Sequence, residues 1–183
     1  MGKVYEEITP ELQKWMGTQR MFFVGTSPLS AEGHVNCSPK GGDSFRILGP
    51  HEVAYADLTG SGIETIAHLK ENGRIVVMFC GFEGAPNIVR LHGHGEVVTS
   101  EHADFEELKS HFPELIGLRA IIRVKVTRVS DSCGYAVPFY DYVGPRDVLD
   151  RWCEKKGPEG VAAYRAENNG ASIDGLPGLD REA

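Results

Sequence analysis

Four short stretches carry side chains that could hold or act on a small anionic molecule. The first is Asn36-Cys37-Ser38-Pro39-Lys40. Read as a strand, its period of two puts Asn36, Ser38 and Lys40 on one face and Val35, Cys37 and Pro39 on the other. An amide, a hydroxyl and an ammonium are costly to bury unless something polar and anionic lies against them. Taken alone, the pattern reads as the solvent-facing side of an antiparallel hairpin. The second stretch runs from Tyr55 through Asp57, Thr59, Gly60, Ser61, Gly62 and Glu64 to Thr65. A strand there feeds a Gly-rich turn, and a helix starts at once. Backbone N–H groups at a helix start, with the hydroxyls of Thr59, Ser61 and Thr65 beside them, suit a phosphate monoester. No Lys follows the second Gly, so this is not a Walker loop, and it is not Gly-x-Gly-x-x-Gly. A plain helix start in a tight turn fits the same residues. Glu64 would repel a phosphate at this point unless it turns away.

The third stretch is Asn87-Ile88-Val89-Arg90-Leu91-His92-Gly93-His94-Gly95-Glu96. Alternation places Arg90, His92, His94 and Glu96 together. Arg90 offers a guanidinium for bidentate capture of an anion. His92 and His94 lack a third metal ligand, so a structural role is the better reading. Two glycines on the other face suggest a sharp bend, or a close approach by another backbone or a flat ligand. The fourth stretch, Asp131-Ser132-Cys133-Gly134-Tyr135-Ala136-Val137-Pro138, contains a cysteine with no activating His nearby in sequence, and reads as an apolar wall. No catalytic dyad stands out.

The elements that must position these groups read as follows. Thr9-Pro10-Glu11 opens a helix to about Thr18. Met21 to Thr26 and His34 to Lys40 form a hairpin, with strands at Phe45 to Leu48 and Val53 to Leu58 beyond it. A helix through Ile63, Ile66, Ala67 and Lys70 ends at Gly73. Arg74 to Cys80 is continuously apolar, as a central strand is. A long strand covers Asn87 to Thr99, Ser100 caps a helix carrying Phe105, Leu108 and Phe112, and Ala120 to Thr127 alternates cleanly. A last helix is expected near Pro145 to Lys155. Strands outnumber helices and no helix alternates regularly with them, which excludes a doubly wound parallel sheet and favours an antiparallel barrel with helices at its ends.

Composition narrows the function classes. The 183 residues suffice for one domain, expected over 1–155, with 156–183 as an extended or partly disordered tail. Nineteen Lys and Arg against 26 Asp and Glu give a net charge of −7, which argues against nucleic acid and against an anionic membrane surface as partners. The four cysteines are widely spaced and read as reduced thiols. With an acidic, polar start to the chain, the expected location is cytoplasmic.

The succession Val35–Lys40, Tyr55–Gly62, Glu71–Val77, Arg90–Val97 and Ser132–Pro138 resembles the pyridoxamine 5′-phosphate oxidase-like, FMN-binding split-barrel family over roughly residues 15 to 155. The resemblance implies a six-stranded antiparallel split barrel, a homodimer with flavin mononucleotide (FMN) at the subunit interface, and a flavin-dependent oxidoreductase acting on a small molecule. It also implies site residues. Lys40, Ser61 and Thr65 would hold the phosphate, within a turn that includes Tyr55, Asp57 and Thr59. Asn36 and Ser38 would face the ribityl chain or ring. Asn87 and Arg90 would complete the pocket, and Cys133 and Tyr135 would reach in from the partner. Chemistry residing in the flavin needs no protein acid or base. Pyridoxamine phosphate oxidases carry Ser-Arg-Lys where this chain has Ser61-Gly62-Ile63-Glu64-Thr65, and a basic, Trp-containing carboxyl terminus where this one is acidic, so a different substrate is implied. A non-enzymatic flavin or haem carrier and a deazaflavin-dependent reductase are the alternatives on the same scaffold.

Overall fold

Eight strands and four helices form the computed structural model, which describes residues 2–179. In chain order they are β1 (Val4–Tyr5), α1 (Pro10–Gly17), β2 (Met21–Thr26), β3 (Asn36–Gly41), β4 (Phe45–Gly49), β5 (Glu52–Leu58), α2 (Glu64–Asn72), β6 (Arg74–Cys80), β7 (Ile88–Val98), α3 (Phe105–Lys109), β8 (Leu118–Ser132) and α4 (Val148–Asn168). One antiparallel sheet runs β3-β2-β6-β7-β8-β5-β4, with β1 added beside β8. The expected antiparallel split barrel is therefore present, with eight strands where six were expected. β5 leaves β8 at Lys125, and the tiny β1 then pairs Val4 and Tyr5 with Ser130 and Val129 further along the same strand.

Curling brings the two edges of the sheet back toward each other around an aromatic core. Phe22 on β2 lies 5.2 Å, ring to ring, from Phe45 on β4 and 5.6 Å from Tyr55 on β5. Phe45 also meets Phe79 of β6 edge-on at 4.9 Å. Such offset and edge contacts add about 0.5–1.5 kcal/mol each beyond area burial. They span the gap between the β3-β2 edge of the sheet and its β5-β4 edge, where no backbone ladder closes the barrel.

The helices depart from expectation more than the strands do. Thr9 caps α1 through the Leu12 amide, as its position predicts. The helix expected from Ser100 starts only at Phe105, because residues 99–102 close a turn first. Phe105, Leu108 and Phe112 still bury together against Ala54 and Ile121. The last helix starts at Val148 and continues to Asn168, broken at Gly157 (φ 69°) before Pro158. The chain then folds back so that Leu179 packs on the main core. Most of the stretch expected as an extended tail is thus helical or docked. Its anchors are polar, such as the Lys70 ammonium on the Gly178 carbonyl at 2.7 Å, and polar anchors leave no apolar pattern to read. Residues 180–183 of that expectation lie outside the described residues. Among the described residues no helix is long and apolar enough to cross a membrane.

The two glycines of β7 have separate explanations. A β-bulge falls between His92 and Gly93, and a Cβ on Gly93 would lie 2.2 Å from the Lys125 carbonyl oxygen of β8. A Cβ on Gly95 would meet the Leu69 side chain of α2 at 2.9 Å. Close backbone approach and helix packing account for both. We predict that Gly93→Ala prises β7 from β8 and costs about 1–3 kcal/mol in urea denaturation, with Gly42→Ala, a positive-φ turn position with open space around its Cβ position, as a purely conformational control.

Candidate functional site

The polar face of β3 turns inward. Lys40 pairs with Phe22, a core residue, while Cys37 and Val35 stand exposed. The solvent-facing reading of the hairpin is thereby overturned. β3 is an edge strand lying across the split from β5, and its polar side chains occupy that split. Ser38 Oγ donates to Asn36 Oδ1 at 2.9 Å. Asn36 Nδ2 donates to Thr65 Oγ1 of α2 at 3.0 Å and to Thr26 Oγ1 at 3.1 Å. Thr26 continues the chain to His68 Nδ1 at 3.0 Å.

At the other end of β3 sits a buried ion triad. Asp57 is fully buried, and its two carboxylate oxygens take separate partners: Lys40 Nζ at 2.7 Å and Arg119 Nε at 2.8 Å. Burial alone would raise the carboxyl pKa; the Lys40 and Arg119 charges and their hydrogen bonds outweigh it, leaving the group below its usual range. Two cations on one carboxylate leave a formal excess of one positive charge. Lys40 and Arg119 also line a cavity of about 420 Å³, together with Ser38, Ser44, Thr59, Gly60, Ser61, Gly62, Glu64 and Thr65. The early hairpin and the Gly-rich bend therefore converge on one space.

The start of α2 borders the same cavity. No side chain caps this helix, and Gly62, Glu64 and Thr65 lie on the cavity wall. Uncapped first-turn amides carry partial positive charge. Glu64 opposes this, but its Oε1 accepts from the Ile173 amide at 3.4 Å, drawing the carboxylate toward the returning chain. A second cavity, about 700 Å³ and mainly apolar, adjoins the first; Gly41, Ser44, Leu58 and Leu149 border both. Phe82, Tyr140, Tyr142 and Leu115 supply its apolar walls.

Of the residues singled out from sequence, Ser38, Lys40, Thr59, Ser61 and Thr65 line the 420 Å³ cavity. Asn36 supports it through Thr65, and Asp57 supports it from beneath. Thr59 is already engaged, donating to the Gly117 carbonyl at 2.9 Å and accepting from Arg165 Nε at 2.9 Å. Tyr55 is a core residue, sealed among Phe22 and its neighbours, and does not reach the cavity. Asn87, Arg90, Cys133 and Tyr135 form a separate group. Arg90 Nη1 donates to Ser132 Oγ at 2.8 Å, and Gly134 abuts the Asn87 backbone. The register row Pro39–Phe23–Met78–Arg90 puts Arg90 on the sheet face opposite Lys40, roughly 14 Å away along the sheet. Val89 and Leu91 take the inward positions. Arg119, Arg165 and Asn169 were not anticipated. Arg119 stands just before the clean alternation of β8, and its carboxylate partner is 62 residues away in sequence.

Comparison with known proteins bears on this geometry. Residues 8–133 match the family model described as pyridoxamine 5′-phosphate oxidase. A pyridoxamine 5′-phosphate oxidase family protein, ustO, of Aspergillus flavus is 39% identical over 193 residues, covering 96% of this chain and 77% of that one. Among solved structures, the H111A form of HupZ from Group A Streptococcus aligns with a TM-score of 0.55 at 25% identity, over 68% of this chain and 99% of that one. A candidate pyridoxamine 5′-phosphate oxidase from Lactobacillus delbrueckii aligns at 0.52 and 16% identity, over 68% and 94% respectively, a likeness of fold.

The triad makes a stability prediction. A carboxyl with a depressed folded-state pKa adds stability that is complete above its unfolded pKa and is lost as pH falls through the folded value. Asp57→Asn removes that contribution and leaves two cations facing each other, so it should cost about 3–5 kcal/mol near neutrality. It should also flatten the acid limb of the stability profile, measured by urea titration from pH about 7 down to about 3.

Proposed function

The chain belongs to the pyridoxamine 5′-phosphate oxidase family, and we propose that it is an FMN-dependent oxidoreductase of that family, cytoplasmic and homodimeric, acting on a small organic molecule. The observation that carries this reading is the joining of a polar, amide-bordered cavity holding Lys40 and Arg119 to an apolar one of larger volume. A phosphate needs the first and a flat ring needs the second.

The residues present fit a flavin phosphate. Lys40 supplies an ammonium, Ser38, Ser61 and Thr65 supply hydroxyls, and the first turn of α2 supplies amides. Asp57 holds Lys40 and Arg119 in place. Bound here, the flavin would supply the two-electron chemistry of the reaction. The protein's part is to bind, to orient and to exclude water. Phe82, Tyr140 and Tyr142 would shield the ring from solvent.

The homodimer is supported by what the single chain leaves uncovered. Tyr135 is 83% exposed and Val143 fully so, with Phe139 and Tyr140 also open to solvent in the same segment. Apolar groups gathered this densely on a surface mark an interface. In the proposed dimer the outward cluster of Asn87, Arg90, Cys133 and Tyr135 lies at the subunit boundary and completes the partner's site.

Two measurements test the proposal. Protein purified without added cofactor should show a flavin-type visible spectrum that bleaches with reduced nicotinamide; a Soret-type band, or uptake of deazaflavin alone, would overturn it. Lys40→Ala should weaken FMN about 10- to 100-fold, the equivalent of ~1.5–3 kcal/mol for an anion contact, while changing riboflavin affinity little. Glu64→Gln should act in the opposite direction, strengthening FMN a few-fold. Equal changes for both compounds would assign these side chains to folding.

A further inference from the structure

The underside of the Gly-rich bend is held by a residue from the far end of the chain. Asn169 closes α4 and is completely buried. Its Nδ2 donates to the Gly60 carbonyl at 2.9 Å and to the Ser61 carbonyl at 3.5 Å. Its Oδ1 accepts from Arg119 Nη1 at 3.0 Å. Arg119 in turn donates to the carbonyls of Gly60 at 3.2 Å and Gly62 at 2.9 Å. Three successive carbonyls are thus drawn to one side by two side chains that are themselves hydrogen-bonded together.

A trans peptide is planar, so its N–H points opposite to the preceding C=O. Fixing the carbonyls of Gly60 and Ser61 toward Asn169 turns the amides of Ser61 and Gly62 away from it. Ser61 and Gly62 line the 420 Å³ cavity together with Arg119, whereas Asn169 lies outside its lining. Successive amides aimed at one point form an anion-binding nest.

Asn169 is itself locked in position. Its carbonyl accepts from the Leu179 amide at 2.8 Å, and the Gly178 amide donates to the Gly170 carbonyl at 2.9 Å. A Cβ on Gly178 would lie 2.2 Å from the Asn169 oxygen, so the returning chain presses directly on it. One turn earlier in α4, Arg165 binds the Thr59 hydroxyl and the Leu118 carbonyl, steadying the entrance to the same bend.

We infer that Asn169 is a positioning residue for the cofactor phosphate, setting the amides of the 60–63 bend through their carbonyls without touching the ligand. The inference rests on the FMN reading above. It gives the C-terminal segment a role at the site that its composition did not suggest.

The test compares FMN with riboflavin by flavin fluorescence quenching on the full chain. Asn169→Asp preserves shape and the acceptor for Arg119 but puts an oxygen opposite the Gly60 carbonyl. The neutral Asn169→Ser, which lacks the added charge, is read beside it, so that a loss seen in the Asp variant alone overturns the positioning role. Asn169→Ala removes both contacts, and the isosteric Asp variant stands in if the Ala variant does not fold. Each folded variant should lose about tenfold or more in FMN affinity while riboflavin stays within about twofold. Added inorganic phosphate should compete with FMN less effectively on the variants than on the wild type. Parallel loss of both flavins, or no change in either, overturns the inference. A wild type that discriminates FMN from riboflavin while its Asn169 variants discriminate equally well overturns this inference alone; a wild type that holds both equally overturns the FMN reading and this inference with it.

Discussion

Asp57 is the constraint around which the rest is arranged. A carboxylate with no exposure to water survives only when its charge is met inside the protein, and Lys40 and Arg119 meet it from opposite sides. Lys40 comes from the edge strand β3 and Arg119 from β8, four places further along the sheet order. One carboxyl group therefore ties the lip of the split to its opposite wall where no backbone ladder exists. The same tie sets the polarity of the cavity above it. Two cations and one carboxylate make its floor, with the Glu64 carboxylate on the wall beside them, in a chain whose net charge is −7.

Around this triad the apolar packing is ordinary and the placement is specific. The Phe22, Phe45, Tyr55 and Phe79 rings fill the barrel beneath the split and bring β4 and β5 up against β2. That packing delivers the end of β5 to the Gly-rich bend, and the bend delivers α2. The polar relay from Ser38 through Asn36 and Thr65 then joins β3 to α2 directly. Sheet, bend and helix are held in one mutual geometry by side chains, so the cavity has a rigid frame before anything enters it.

Much of this arrangement was legible in the residues. Period-two spacing marked Asn36, Ser38 and Lys40 as one face, and the Gly-Ser-Gly bend after a strand marked a helix start. What the pattern could not state was which face points inward. For β3 the hydrophobic rule suggested that the polar side met water, yet the unexposed Asp57 made the inside the favourable place for Lys40. For β7 the same ambiguity ran the other way: Arg90 shares its strand with inward-facing Val89 and Leu91, so it points away from Lys40. Arg119 and Asn169 carried no local signal, because each acts on residues about fifty or more positions distant. The C-terminal stretch looked like a tail since its ties are polar side chains meeting distant backbone carbonyls, which no apolar pattern announces.

The order in which the chain emerges gives this last feature a consequence. Every strand of the barrel precedes residue 133, so the sheet can form while α4 and the returning segment are still unmade. The Gly-rich bend, by contrast, is held by Asn169, which follows all of those strands and is itself closed over by Leu179. Frame and pocket are therefore separate events in the life of a single molecule. The sheet of one molecule can therefore be complete while its Gly-rich bend is still unheld.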